Sequence, residues 1–328
     1  MNRNRVGLGT FPLASVFSQI DTRQAEKIVE SFLVNGGYYI DTAPLYGFGE
    51  IEKLLGHVLK KYPREKYFLM TKCGYVDVEG KSFQTVRKSG KYEDVIRECE
   101  NSLRRLNMDF IDLYLVHSPN KQIPFSETIN ALTKLKKDGK IKEIGVSNVN
   151  LSELKEYNSN CQIKFVQNRF SLINRSINSE FEEYLLENKI YFMPYHLLEI
   201  GLLTGIAFEN FKLRPGDLRE NLSYWNIKNQ ELIFKWVREK LAPISKGLGI
   251  TIGQLNIAWG LQQKFMGFVI VGTTREDYLK INLAANDIRL SDEVLLKLDR
   301  AYIDLELEIN EKYKMSVREF RGLNEKYY

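Results

Sequence analysis

Two hydrophobic patterns alternate along the chain. Short β-branched or aromatic runs recur at Val6 to Leu8, Tyr38 to Ile40, Tyr67 to Thr71, Phe110 to Val116, Ile141 to Val146, Ile163 to Val166, Ile190 to Met193 and Phe268 to Val271. Between them lie segments of helical periodicity, a combination that predicts parallel strands joined by helices. Gln24 to Asn35 sets Ala25, Ile28, Val29 and Phe32 on one face and stops at Gly36-Gly37. Glu50 to Lys61, Tyr92 to Leu106, Phe125 to Asp138 and Ser179 to Asn188 read the same way. The stretch between Met193 and Phe268 is too long for one helix. It predicts a loop over Gly205 to Tyr224, with Arg214-Pro215-Gly216-Asp217 as its turn, then helices at about Gln230 to Lys246 and Ile252 to Lys264. Beyond Ala301, charged and aromatic residues alternate to Tyr328, as in a helix and tail.

Eight strand-helix units predict an α/β fold, a closed (β/α)8 TIM barrel, because right-handed crossovers put every helix outside and closure leaves no exposed sheet edge. The expectation is one domain over residues 1–328, with a loop and extra helices at about 205–250 and a helical tail from about 291. An open doubly wound sheet would announce itself by Gly-x-Gly-x-x-Gly after the first strand. Val6-Gly7-Leu8-Gly9-Thr10-Phe11-Pro12 lacks the last glycine, and Gly247-Leu248-Gly249 follows a helix instead of a strand.

Composition narrows the classes without choosing among enzymes. Lys plus Arg number 47 against 42 Asp plus Glu, a net charge of +5, with 44% hydrophobic and 27% charged residues. These values argue against disorder and against a nucleic-acid-binding tail. No run approaches the roughly 20 apolar residues of a membrane span, and no leader-like stretch follows Met1. Cys73, Cys99 and Cys161 show neither Cys-x-x-Cys nor metal spacing, so a cytoplasmic protein without a metal is expected.

In such a barrel, chemistry collects where strands end at the carboxyl face. Here the runs end in Asp41, Lys72, His117, Ser147-Asn148, Gln167, Tyr195 and Gly272-Thr273-Thr274. Each alone has an ordinary reading: a capping aspartate, a solvated lysine, or a histidine that is exposed or packs, as expected for His57. Together they place an acid, a base, an imidazole, amides and a phenol on one rim. Tyr46 lies five residues past Asp41. A phenol with a pKa near 10 gives up its proton poorly unless an ammonium stands beside it, and a buried carboxylate keeps that ammonium in place. Asp41, Lys72 and Tyr46 are candidates for that relay, and His117 for donating to a carbonyl oxygen as charge develops on it. This is machinery for reducing a carbonyl.

At these positions the chain resembles the aldo-keto reductase superfamily over nearly its whole length. Tyr39-Ile40-Asp41-Thr42-Ala43-Pro44-Leu45-Tyr46-Gly47, followed by Glu50 and Gly56, is similar to that family's most specific signature. Met70-Thr71-Lys72, Leu115-Val116-His117-Ser118-Pro119 and Ile144-Gly145-Val146-Ser147-Asn148 resemble its later motifs in order and spacing. The resemblance implies a catalytic tetrad of Asp41, Tyr46, Lys72 and His117, with Tyr46 as acid-base, acting on an aldehyde, ketone or alcohol. It implies NADP(H) as cofactor, with NAD(H) as the alternative. Ser147, Asn148 and Gln167 would hold the nicotinamide carboxamide and Tyr195 would stack on the ring. Gly272, Thr273, Thr274, Arg275, Tyr278 and Asn282 would hold the adenosine-phosphate end.

The chain also departs from that pattern. Many members carry Lys where Gly272 stands, Arg where Tyr278 stands and Glu where Ile281 stands, implying a weaker grip on a 2'-phosphate. The family's Tyr-Ser-Pro-Leu is Tyr195-His196-Leu197-Leu198 here, which offers His196 to a phosphate or to packing, although Gly201-Leu202-Leu203-Thr204-Gly205 matches. The usual amino-terminal hairpin is missing, so the barrel floor is expected to close differently or stay open. For the substrate, Phe17, Phe48, Tyr75 and Trp225 are candidate pocket walls, and Lys81, Arg87, Lys88 and Lys91 a candidate anion-binding loop. Two other uses of the barrel stand beside reduction. One is a redox-sensing regulatory subunit resembling the potassium-channel β subunits; the other is a non-redox enzyme forming a Schiff base on Lys72.

Overall fold

The computed structural model describes residues 3–76, 85–205, 213, 215–221, 225 and 227–321. Eight parallel strands follow the predicted runs: β1 Val6–Gly9, β2 Tyr39–Asp41, β3 Phe68–Cys73, β4 Ile111–Val116, β5 Ile141–Ser147, β6 Ile163–Arg169, β7 Tyr191–Tyr195 and β8 Val269–Gly272. Their order is β8-β1-β2-β3-β4-β5-β6-β7. The ends meet through a parallel bridge between Phe192 and Met266, where Gly267 N donates to the Phe192 carbonyl at 2.9 Å. The ring is thus the expected (β/α)8 barrel. A two-stranded hairpin, Tyr75–Val76 with Arg87–Lys88, lies beside it.

Helices α1 Thr22–Val34, α2 Glu50–Leu59, α3 Tyr92–Leu106, α4 Phe125–Lys137, α5 Leu151–Asn160 and α6 Ser179–Glu187 wrap the outside. After β7 come α7 Ile227–Trp236, α8 Ala242–Leu248 and α9 Ile252–Leu261; after β8 come α10 Glu276–Ala284, α11 Asp292–Tyr313 and α12 Val317–Phe320. Helix α5 was not foreseen, although its capping box, Asn150 with Glu153, is a local signal for a start. The helix expected over Gln230 to Lys246 is two helices joined by a π turn at Val237–Leu241. Pro243 in the first turn of α8 explains the break, since it has no N–H for the ladder. Within the expected loop, Leu218–Asn221 forms a 3-10 turn, while Arg214 and most of residues 205–224 lie outside the described residues, as does the tail beyond 321. No helix among the described residues is long and apolar enough to cross a membrane.

Alternation along the strands layers the barrel interior, because every second side chain points inward. Tyr39, Phe68, Phe165 and Phe268 form an aromatic layer, with Tyr39 stacked on Phe268 at 3.9 Å and Phe68 at 6.0 Å from Phe165. Met70, Leu113, Leu115, Met193 and Ile270 pack above it. Two residues further along the same strands stand Asp41, Lys72, His117 and Gln167. The floor is therefore closed, by rings from the strands themselves. Arg5 seals its edge by donating to the carbonyls of Leu261, Met266 and Gly267 at 3.1, 2.6 and 2.8 Å.

The three cysteines are buried and free. Burial pushes the thiols of Cys99 and Cys161 up to about 12, and that of Cys73 higher still.

Because the aromatic layer fills the barrel floor, Phe268→Ala should lower the unfolding free energy by about 3–5 kcal/mol. Urea unfolding followed by circular dichroism measures this, and a loss under about 1 kcal/mol would mean that the floor carries little of the packing.

Candidate active site

The rim is built by strand register. Asp41 ends β2 and pairs in register with Met70 of β3; two residues on, Lys72 points into the same space. Tyr46 arrives from the connection after β2, where Tyr46 N bonds the Ala43 carbonyl at 3.0 Å. Gly47, Phe48 and Gly49 then take left-handed backbone angles (φ 59, 52 and 88°) that turn the chain into α2. Gly56 lets α2 approach α3, since a Cβ there would lie 2.5 Å from the Leu106 carbonyl oxygen. Both signature glycines around Tyr46 thus fix where its helix sits.

Lys72 is 1% exposed and its ammonium has three acceptors. Nζ donates to Asp41 Oδ1 at 2.8 Å, to the Thr42 carbonyl at 2.8 Å and to Tyr46 Oη at 3.1 Å. Burial draws the Lys72 pKa down, and the Asp41 carboxylate opposes it. Gln167 Nε2 donates to the same Asp41 oxygen at 2.9 Å, while the Asp41 carbonyl accepts from Thr10 Oγ1 at 2.8 Å. His117 lies with its ring 6.2 Å from that of Tyr46 and 5.2 Å from that of Tyr75. Burial, then the ammonium groups of Lys72 and Lys88, holds its pKa well below the usual histidine range. At neutral pH it is a neutral imidazole.

Asn148, in the left-handed region at φ 59°, is fixed on several sides. Its Nδ2 donates to the His117 carbonyl at 2.8 Å and to Ser147 Oγ at 3.1 Å, and its Oδ1 accepts from Tyr195 Oη at 2.6 Å. A cavity of about 530 Å³ runs from Tyr46 and His117 past Ser147, Asn148, Gln167 and Tyr195 to Gly272, Thr273, Thr274, Arg275, Tyr278, Ile281 and Asn282. All the residues singled out from sequence for the cofactor therefore line one space, with Lys72 buried behind it. The Gly272 departure has a steric cause, since a Cβ there would meet Pro12 Cγ at 2.6 Å. Arg275 lies 4.7 Å over the Tyr278 ring and 3.7 Å from Asp277.

The substrate-side expectations divide. Phe17 and Trp225 line the cavity, whereas Phe48 and Tyr75 do not. Tyr75 instead packs on His117 and against Leu45. The suggested anion-binding loop is partly absorbed elsewhere: Arg87 pairs with Asp94 at 3.3 Å and Lys88 donates to Ser118 Oγ at 3.1 Å, while Lys91 sits exposed at the start of α3 with no side-chain capping bond. Lys81 lies outside the described residues. His57 sits at the surface 3.7 Å from Glu26. His196 lines the cavity, with Nδ1 buried and without a hydrogen-bond partner. Sequence reading missed Phe11, whose ring lies 5.0 Å from Tyr46, and Arg219, which pairs with Asp217 at 2.6 Å and stacks near Phe17 and Trp225. Both come from irregular segments, where no periodicity marks them. No group of three or more His, Cys, Asp or Glu side chains among the described residues is arranged to hold a metal ion.

The model of the aldo/keto reductase family matches residues 5–303. The chain belongs to that family. As a member it is an oxidoreductase acting on carbonyl and alcohol groups. It is 32% identical over 301 residues to the NADH-specific methylglyoxal reductase of Escherichia coli (strain K12), spanning 88% of this chain and 91% of that protein. It is 30% identical to the aldo-keto reductase YhdN of Bacillus subtilis (strain 168), spanning 84% and 83%. Among solved structures, the glycerol dehydrogenase of Gluconobacter oxydans superposes with a TM-score of 0.82 at 26% identity, over 95% and 93% of the two chains. An aldo-keto reductase from Klebsiella pneumoniae, solved with NADPH, gives 0.67 at 25% identity, over 91% and 90%.

His117 and His196, the latter held down to about 3 chiefly by burial, fold as neutral rings. Unfolded, they take up protons below the ordinary value near 6.5, so the unfolded chain binds more protons there and stability falls as pH drops. The urea midpoint should be lower at pH 5.5 than at pH 7.5, and His196→Gln should lessen the difference. A midpoint independent of pH across that window would contradict neutral burial.

Proposed function

We propose that the chain reduces small aldehydes or ketones with a nicotinamide cofactor, Tyr46 supplying the proton, and oxidises the corresponding alcohols in reverse. One observation carries this reading: Lys72 Nζ joins the Asp41 carboxylate to the Tyr46 hydroxyl at 2.8 and 3.1 Å, at the wall of a cavity. The residues along that cavity fit NADP(H) or NAD(H). Its length from Tyr46 to Asn282 and the polar cluster of Ser147, Asn148 and Gln167 suit an extended dinucleotide. When bound, that cofactor supplies hydride from nicotinamide C4. Ser147, Asn148 and Gln167 would orient its carboxamide, Tyr195 would offer a ring face, and Thr273, Thr274, Arg275, Tyr278 and Asn282 would hold the adenosine end.

On this reading Tyr46 Oη gives its proton to the substrate oxygen, and the phenolate left behind is stabilised by the hydrogen bond that Lys72 donates. Asp41 holds the ammonium, and Gln167 holds Asp41. Neutral His117 has an N–H to donate to the carbonyl oxygen as it gains charge, without competing for the proton. Phe11, Phe17 and Trp225 give the cavity an apolar side that suits a compact, weakly polar substrate. The Schiff-base alternative fits less well, since all three N–H bonds of Lys72 are engaged and its nitrogen is buried behind the cavity wall. The intact relay likewise favours turnover over a sensing role alone.

Tyr46→Phe keeps the ring and removes only the donor. It should bind NADPH or NADH within about twofold of the parent while losing at least roughly a hundredfold in kcat with methylglyoxal as probe. Retained turnover would remove Tyr46 from the mechanism. For the cofactor, fluorescence titration of Arg275→Ala should weaken NADPH by roughly tenfold and NADH by less than about threefold; equal losses would mean that Arg275 does not meet the 2'-phosphate.

A further inference from the structure

A second set of buried charges lies outside the proton relay. Glu199, on the loop after β7, is fully buried. Its Oε1 accepts from Ser171 Oγ at 2.6 Å; its Oε2 faces Arg169 Nη2 at 2.6 Å and Arg321 Nη2 at 3.1 Å. Despite its burial, the two guanidinium groups and Ser171 hold its pKa down to about 2. Arg169 is local, the last residue of β6. Arg321 comes from just past α12 and is itself 0% exposed, the bulkiest of the fully buried side chains. Helix α12 is pinned for this by its Ser316–Glu319 capping box, by buried Val317 and by Phe320, whose ring lies tilted 4.6 Å from that of Tyr313.

The loop that Glu199 anchors is strained. His196, Glu199, Ile200 and Gly201 have φ of 57, 46, 53 and 103°. For β-branched Ile200 this is unfavourable, and left-handed non-glycine residues cost on the order of 1–3 kcal/mol each. Such geometry lasts only where the surroundings over-determine it. Inside the loop, Glu199 N bonds the His196 carbonyl at 2.8 Å and Gly201 N the Leu198 carbonyl at 2.9 Å. Beside these and the packing of buried Leu197 and Leu202, the Glu199 carboxylate, drawn between two cations, ties the loop to β6 and to the segment past α12. The same loop gives His196, Leu197, Leu198, Ile200 and Gly201 to the cavity wall, and its Ile200 carbonyl accepts from Arg219 at 3.3 Å.

We propose that Arg321 is a positioning residue: through Glu199 it holds loop 196–201 in its left-handed form, and so sets how tightly the cavity grips the cofactor without touching it. The proposal rests on the nicotinamide reading above. It makes cofactor affinity, and not the proton relay, depend on the segment that carries α12.

The test uses the full chain with Arg321→Gln and Arg321→Lys, since Arg169 still neutralises Glu199 in both and no bare carboxylate is left buried. Three quantities are read: Kd for NADPH and NADH by fluorescence, kcat with methylglyoxal at saturating cofactor, and amide hydrogen exchange of residues 196–205 without cofactor. Arg321→Gln should raise Kd by roughly tenfold, leave kcat within about twofold, and speed exchange of the loop by roughly tenfold with β3 and β4 unchanged. Arg321→Lys keeps the charge but loses the guanidinium fork, so it should raise Kd by roughly threefold and speed loop exchange by a similar factor, and it carries the test if the Gln variant does not fold. Unchanged Kd, or exchange speeded equally throughout the barrel, would overturn the proposal. Should the parent protein bind neither nucleotide, the cofactor reading falls by itself. Exchange at 196–201 then still decides whether Arg321 holds the loop, unchanged rates meaning that it does not.

Discussion

The buried pair of Asp41 and Lys72 is the constraint around which the barrel is arranged. Taking both charges out of water is costly, and removing one partner of such a pair typically costs about 3–5 kcal/mol. The pair survives because neighbouring polar groups complete it: a carbonyl from Thr42, an amide from Gln167 and a hydroxyl from Tyr46. The pair and its partners come from three separate parts of the chain, so the arrangement exists only when β2, β3 and β6 are in register. A slip of one residue in β3 would turn Lys72 outward among the helices and put Thr71 in its place. Thr71 now faces the other way, donating to buried Glu52 at 2.6 Å, which in turn pairs with Arg105. The outer network thereby locks the inner one.

This arrangement was largely legible in the sequence because strand period and strand ends are local signals. Each apolar run became a strand, and the residue types that followed it met at one rim. The floor was not legible. Tyr39, Phe68, Phe165 and Phe268 lie in four different runs, and only closure of the ring shows that they stack. The π turn before Pro243 and the unforeseen helix α5 did have local causes, in a missing N–H and a capping box. Glu199, Arg169 and Arg321 were out of reach, since a contact across 122 residues leaves no mark on either neighbourhood.

The two ends of the cavity differ in how firmly they are built. Around Tyr46 the charges of Asp41 and Lys72 are buried and held by short hydrogen bonds at strand ends. Around Arg275 the side chains stand on a helix start, and Arg275 is 60% exposed. A pair as exposed as Arg275 with Asp277 contributes little to stability and rearranges easily. On the proposed reading, discrimination between dinucleotides would fall to the less rigid end and proton handling to the rigid one.

The deep placement of the cysteines bears on the company such a protein keeps. Reactive carbonyls are electrophiles, and the thiolate is the form of cysteine they attack. Cys73, Cys99 and Cys161 are all shielded by packing and stay protonated. Cys73 is adjacent in sequence to Lys72, yet its sulfur faces the opposite side of β3 and donates to the Leu115 carbonyl at 3.5 Å. The enzyme therefore presents no cysteine thiol at its surface, and whatever reactive carbonyls modify on it must be its amines and guanidinium groups rather than its sulfhydryls.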